Sequence, residues 1–249
     1  MSAPSVITPA RTEEMAVIHR IYRRGFQMVA DLVRRTAASE TASSEPVAAH
    51  LEFLLNSLHY HHSGEDKNIW PRLLERAAPQ AELINRMERQ HEVVDERSEQ
   101  VRTLLEHWRR GTVDGTELAA ALDEYIQVLV EHLDDEEAHV VPLIRAHITP
   151  GEWEQFGRET FKKFTNPEKL IATGVLEDIA TPEEAIWFLG ELPLLIKLMW
   201  RFAGRRRYDR YMVRVRGTGD LARPLKLGEP EALRADPRDP RPQGTDNVS

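Results

Sequence analysis

Residues 61–73, HHSGEDKNIWPRL, recur in outline at residues 132–144 as HLDDEEAHVVPLI. Each copy carries His-x-x-x-Glu with a proline six residues after the glutamate: His61, Glu65 and Pro71, then His132, Glu136 and Pro142. The copies lie 71 residues apart. A further histidine stands upstream of each on an apolar stripe, His19 and His91, 72 residues apart. His and Glu four residues apart share one face of a helix, and both pairs take stripe positions otherwise held by Leu, Val and Ile. A half-chain that supplies one histidine and then a His/Glu pair, used twice, is the pattern of a two-metal site inside a four-helix bundle.

Working outward, the apolar spacing predicts four long amphipathic helices. The first runs from Thr12, a candidate N-cap, with Met15, Ile18, His19, Tyr22, Phe26 and Val29 on one face. It gives way to the small, polar linker 37–44. The second begins at Ser44-Glu45-Pro46, an N-cap followed by proline in the first turn, and turns Leu51, Leu54, Leu58, His61, Glu65 and Ile69 inward before ending ahead of Pro79. The third carries Ile84, Met87, His91, Val94, Ser98, Val101 and Leu105 and stops at Gly111. The fourth begins around Thr116, shows Leu118, Leu122, Tyr125, Leu129, His132, Glu136, Val140 and Leu143, and closes by Pro150. Short connections favour up-down-up-down order. His19 and His91 fall about 22 residues before their respective turns, His61 and His132 about 20 after, Glu65 and Glu136 about 24 after. With a rise of about 1.5 Å per residue, all six groups reach one level.

The expected fold class is therefore all-α: an up-down-up-down four-helix bundle with additional C-terminal helices. The expected layout is an N-terminal arm (1–11), the bundle (12–150), a helical extension (151–216) and a disordered tail rich in Pro, Asp, Arg and Gly (217–249). With 249 residues and no cysteine, thiolate metal sites, disulfides and cysteine nucleophiles are excluded, so any metal is held by nitrogen and oxygen. The net charge of -8, with basic residues scattered through the first 150, argues against a nucleic-acid surface. The start, MSAPSVITPA, has neither a basic region nor an apolar core, which leads to an expectation of a cytoplasmic protein. All ten histidines fall at or before His147, so metal chemistry belongs to the first part of the chain.

A buried, unpartnered carboxylate costs several kcal/mol, and two at one level repel each other. Cations remove both penalties: Glu65 and Glu136 can bridge two metals, and each metal can take two histidines from His19, His61, His91 and His132. Imidazole plus carboxylate suits iron, manganese or zinc, and a dinuclear bundle site points first to iron. Gly64, unfavourable in a helix interior by roughly 1 kcal/mol, calls for a packing or access reason. Pro71 and Pro142 should kink their helices just past the ligands. Tyr22 and Tyr125, one and two turns from His19 and His132, read as core aromatics that could also hydrogen-bond a ligand or take a redox role. His62 points about 100° away from His61 and reads as surface or supporting. His50, His59, His107, His139 and His147 read as solvated. Asp66 and Glu137 read as an exposed helix face.

These motifs, His19, HHSGED, RQHE with His91, and HLDDEE, resemble the hemerythrin-like HHE cation-binding family over about residues 12–148. The resemblance implies a non-haem centre of two iron ions, oxo- or hydroxo-bridged, whose open position meets dioxygen, hydrogen peroxide or nitric oxide. One departure stands out. Oxygen-carrying hemerythrins have His-x-x-x-His on the third helix, whereas the position four after His91 is Asp95. That shifts weight from reversible oxygen carriage to redox chemistry, including catalase-like peroxide decomposition, or to sensing. Asp95 reads either as a ligand or as an exposed partner of Arg89 or Arg97.

Beyond Gly151, aromatic residues Trp153, Phe156, Phe161 and Phe164 suggest a further helix, with a break at Asn166-Pro167. Thr181-Pro182-Glu183-Glu184 starts an apolar stretch to residue 203, followed by an arginine cluster from Arg205 to Arg216. Glu191, Pro193, Lys197 and Arg201 argue against a membrane span and for an amphipathic helix covering the bundle, a partner protein or a membrane surface. Three functions compete: a di-iron redox protein, an iron or oxygen sensor acting through residues 152–216, and a metal-free adaptor.

Overall fold

The computed structural model describes residues 10–37, 44–190 and 194–217. Most of the expected N-terminal arm, the middle of the first linker and the expected tail lie outside the described residues. The helices, numbered in chain order, are α1 (Glu13–Ala37), α2 (Glu45–Asn68), α3 (Trp70–Arg76), α4 (Ala81–Arg109), α5 (Gly115–Asp135), α6 (Val141–His147), α7 (Pro150–Lys163), α8 (Asn166–Ile179), α9 (Pro182–Gly190), α10 (Leu194–Met199) and α11 (Arg205–Arg216). No strand occurs among the described residues. The fold is all-α, as the periodicity requires.

Local chemistry sets most boundaries. Asp114 caps α5 by accepting from the Thr116 amide, and Gly111, at φ +68°, ends α4 in the left-handed region that glycine reaches without strain. Thr149 and Thr165 each form a reciprocal capping box with the glutamate three residues on. Ser44 behaves otherwise than expected: it precedes α2, but its side chain makes no capping bond. Thr12 lies buried, and its hydroxyl accepts from Arg145 Nε.

In the bundle, α1 and α4 each pack against both α2 and α5, the square arrangement of four antiparallel helices. Two apolar layers fill it. One contains Phe26, Leu54, Leu58, Val94, Val101, Leu122 and Leu129, the other Met15, Ile69, Trp70, Ile84, Met87, Val140 and Ile144. The histidines and glutamates lie between the layers, as their spacing demands.

The two prolines act differently. Near Pro71 the helix is interrupted at Ile69 and restarts as α3. Before Pro142 the chain instead widens into a π-turn over Glu136–Val140, in which the Val141 amide reaches back five residues to the Glu136 carbonyl. Such single π-turns accumulate at functional positions, and this one contains a candidate ligand.

The C-terminal helices wrap the α1–α2 side. A Cβ on Gly64 would lie 2.7 Å from Thr160 Oγ1 and 2.8 Å from Phe156 Cε2, so the glycine exists to let α7 approach α2 closely. Tyr208 of α11 lies over Gly174 of α8 and donates to Asp178 at 3.0 Å. Tyr211 meets His50 Nδ1 at 2.8 Å, which corrects the expectation that His50 is solvated: α11 covers it. Within the apolar stretch after Thr181, α9 covers Pro182–Gly190, and from Leu194 the chain runs without a break through α10, a π-turn over Trp200–Gly204 and α11. Ile186, Leu194, Met199 and Phe202 are exposed, and Glu191 and Pro193 lie outside the described residues. No helix of the described residues is long and apolar enough to cross a membrane.

The Gly64 contact gives a stability test. Gly64→Leu should push α7 away from α2 and cost about 1–3 kcal/mol. Gly157→Ala, with nothing near its Cβ, should gain up to about 1 kcal/mol from helix propensity. Thermal unfolding of both variants checks the pair, and equal melting temperatures would count against the close α2–α7 packing.

Candidate metal centre

The six expected residues converge. His19 comes from α1, His61 and Glu65 from α2, His91 from α4, His132 from α5 and Glu136 from the π-turn, and all six are at most 4% exposed. Glu65 spans the site, with Oε1 3.3 Å from His61 Nε2 and Oε2 3.8 Å from His91 Nε2. Glu136 Oε2 lies 3.3 Å from His19 Nε2 and 3.8 Å from His132 Nε2. His19 and His61 bring their Nε2 atoms within 3.3 Å of each other. Two donors about 2.1 Å from one ion and at right angles are about 3 Å apart, so these spacings suit cation ligation.

Two compact groups emerge, each with its donor atoms within 4.8 Å of one another: His19, His61 and Glu136, and His62, His91 and His132. The presence of His62 corrects the sequence reading. It is buried, at 1% exposure, rather than on the surface, with its ring 4.1 Å from that of His91 and 4.9 Å from that of His132.

Polar satisfaction tests whether the site fits a metal. Buried polar atoms almost always find a hydrogen-bond partner. Here both carboxylate oxygens of Glu65, both of Glu136, and Nε2 of His91 and His132 have none among the described residues. These are the atoms a cation would take, and the nitrogen–oxygen donor set suits iron, manganese or zinc.

The other ring nitrogens are held from outside. His19 Nδ1 donates to Glu137 Oε1 at 2.8 Å, and His91 Nδ1 to Asp66 Oδ1 at 2.7 Å. His132 Nδ1 lies 3.2 Å from Gln90 Oε1. Each bond selects the tautomer with a lone pair on Nε2, facing inward. Asp66 and Glu137 are therefore not merely a solvated face, although their side chains remain 46% and 33% exposed. Each follows a ligand-candidate glutamate and supports the histidine of a neighbouring helix. That shared repeat position is the signal that could have revealed them. Glu137 also accepts from Arg23 at 2.7 Å. Although burial acts to raise its carboxyl, the bonds from His19 and Arg23 hold it below its usual range.

Tyr22 and Tyr125 are buried core aromatics. The Tyr22 hydroxyl donates to the Ser57 carbonyl at 3.1 Å and its ring lies 5.6 Å from that of His61, while the Tyr125 hydroxyl has no partner among the described residues. Asp95 points away from the site, 53% exposed and 3.9 Å from His59. Trp70 and Phe156 wall the centre, with ring centroids 5.8 Å from His91 and 6.0 Å from His61.

The hemerythrin HHE cation binding domain family matches residues 11–144, more than half of the chain. The chain belongs to that family of cation-binding helical bundles. Comparison with curated proteins and with solved structures gives no match.

Burial sets the titration of the metal-free protein. It drives His61 and His62 well below 6.5, His132 to about 2 and His50 to about 4. It raises Glu65 well above the usual carboxyl range, with the Glu136 carboxyl adding to the effect, and also raises Glu14. Below about pH 6.5 the unfolded chain protonates those four histidines while the folded chain does not. Their contribution is complete above 6.5 and is lost as pH falls. The two raised glutamates act oppositely but are outnumbered. The melting temperature of metal-free protein should therefore fall between pH 7.5 and 5, and a flat or rising profile would contradict the buried neutral imidazoles. Separately, Asp66→Asn and Glu137→Gln should each weaken metal binding by about 10–100-fold with little effect on the metal-free fold, as measured by competition with a chelator.

Proposed function

We infer that the chain is a non-haem di-iron protein that binds dioxygen or reacts with hydrogen peroxide or nitric oxide, with catalase-like peroxide decomposition as its candidate activity. His19, His61, His91 and His132 would be the terminal ligands, and Glu65 and Glu136 the bridges. The observation that carries this is the placement of Glu65: its two unpartnered oxygens are directed one to His61 and one to His91, in the two separate histidine groups. Two iron ions would supply Lewis acidity and a two-electron couple.

The protein's own part is positional. Asp66, Glu137 and Gln90 orient the imidazoles, Ser57 fixes Tyr22, and Trp70 and Phe156 exclude bulk water from the walls. A second reading, an iron or oxygen sensor, draws support from Phe156. That residue of α7 touches Gly64, next to Glu65, so a change at the centre has a short mechanical route to the C-terminal helices.

Metal content and the optical spectrum of protein from iron-supplied cells, before and after peroxide, test the reading. About two irons per chain with near-ultraviolet absorption that changes as oxygen evolves is the expected outcome. His61→Ala and Glu136→Ala should both abolish it. Two irons that stay inert to peroxide favour the sensor, and a folded chain that takes up no metal overturns both.

A further inference from the structure

We propose that His62 is a seventh protein ligand, a third imidazole on the metal held by His91 and His132, so that the two metal positions of this chain are inequivalent. The inference deepens the metal reading above and rests on it.

Helix geometry permits the role. Glu65 follows His61 by four residues and His62 by three, so it stands between the two histidines on the α2 face and both flank it. α2 packs between α1 and α4, and the flanks divide accordingly. The His61 ring lies 5.4 Å from that of His19 on α1, whereas the His62 ring lies 4.1 Å from that of His91 on α4. A donor nitrogen of His62 also falls within 4.8 Å of those of His91 and His132.

Polar accounting calls for a ligand role. Both nitrogens of His62 are buried with no hydrogen-bond partner among the described residues. A neutral imidazole left this way forfeits a donor and an acceptor at once. Stacking on His91, at 10° between planes, satisfies neither nitrogen, and because an ion must lie near the plane of each imidazole it binds, one of the two rings turns as the metal enters.

The repeat shows that packing does not demand a histidine here. Seventy-one residues on, the equivalent of His62 is Leu133, fully buried. The same scaffold position is thus filled by a hydrocarbon on one side and by an unsatisfied imidazole on the other. Meanwhile Asp95, on the third helix where a second histidine would have followed His91, faces solvent. One position then has three histidines, His62, His91 and His132, and the other two, His19 and His61, leaving more room for a small exogenous ligand on the His19/His61 side.

Cobalt(II) titration of the metal-free protein, followed by its visible absorption, tests this without any turnover assay. Wild-type protein should take up two ions in two distinguishable steps. His62→Leu, which copies the residue of the other repeat, should keep the helical content and melting temperature of the metal-free chain and weaken one step at least tenfold, leaving the other within about twofold. Unchanged binding of both ions by His62→Leu overturns the proposal and leaves the six-ligand centre standing. A wild-type chain that binds no cobalt overturns the centre and this proposal together. Should His62→Leu fold poorly, the histidine count from X-ray absorption of the two-cobalt wild-type protein decides: an average near 2.5 imidazoles per ion supports five histidine ligands, and 2.0 refutes them.

Discussion

Two carboxylates at one depth of an apolar interior impose the constraint from which most of this structure follows. Glu65 and Glu136 are fully buried between two hydrophobic layers. Burial, with the Glu136 carboxyl adding to it, opposes the ionisation of Glu65. Burial drives His61, His62 and His132 toward the neutral form, the form that binds a cation. A cation among these donors would relieve the burial of the carboxylates, and the geometry around them makes sense as preparation for one. Ring nitrogens are aimed inward by carboxylates and an amide at the rim, and bulky aromatics close the walls.

The internal repeat explains how so specific a site is assembled from simple parts. Each hairpin contributes a histidine and a His/Glu pair at the same depth, and each glutamate is followed by a carboxylate that braces a histidine of a neighbouring helix. The departures from symmetry are as informative. Pro71 breaks its helix, whereas Pro142 follows a π-turn that carries Glu136. His62 faces the centre where the second hairpin has Leu133.

How much of this was readable from the chain follows from helix geometry. Depth was legible because the rise per residue is constant, so counting from the turns placed six groups at one level. Azimuth was harder. A corner helix of a bundle faces two neighbours, and its inward surface spans more than the single stripe used to set His62 aside; a residue 100° round still points inside. Asp66 and Glu137 were misread for another reason: they are partly exposed, and their role depends on histidines from other helices. His50 could not have been placed at all without knowing that α11 lies across α2.

The way the donors are shared between hairpins has a consequence for how the chain is made. His19 and His61 leave the ribosome early, yet the carboxylate grouped with them, Glu136, is synthesised more than a hundred residues after His19. His62 waits likewise for His91 and His132. Neither hairpin alone encloses a complete set, so the metal pocket is a late, long-range product of folding. A nascent first hairpin offers only a partial set of ligands, and capture of a cation is deferred until the bundle that shields it has closed.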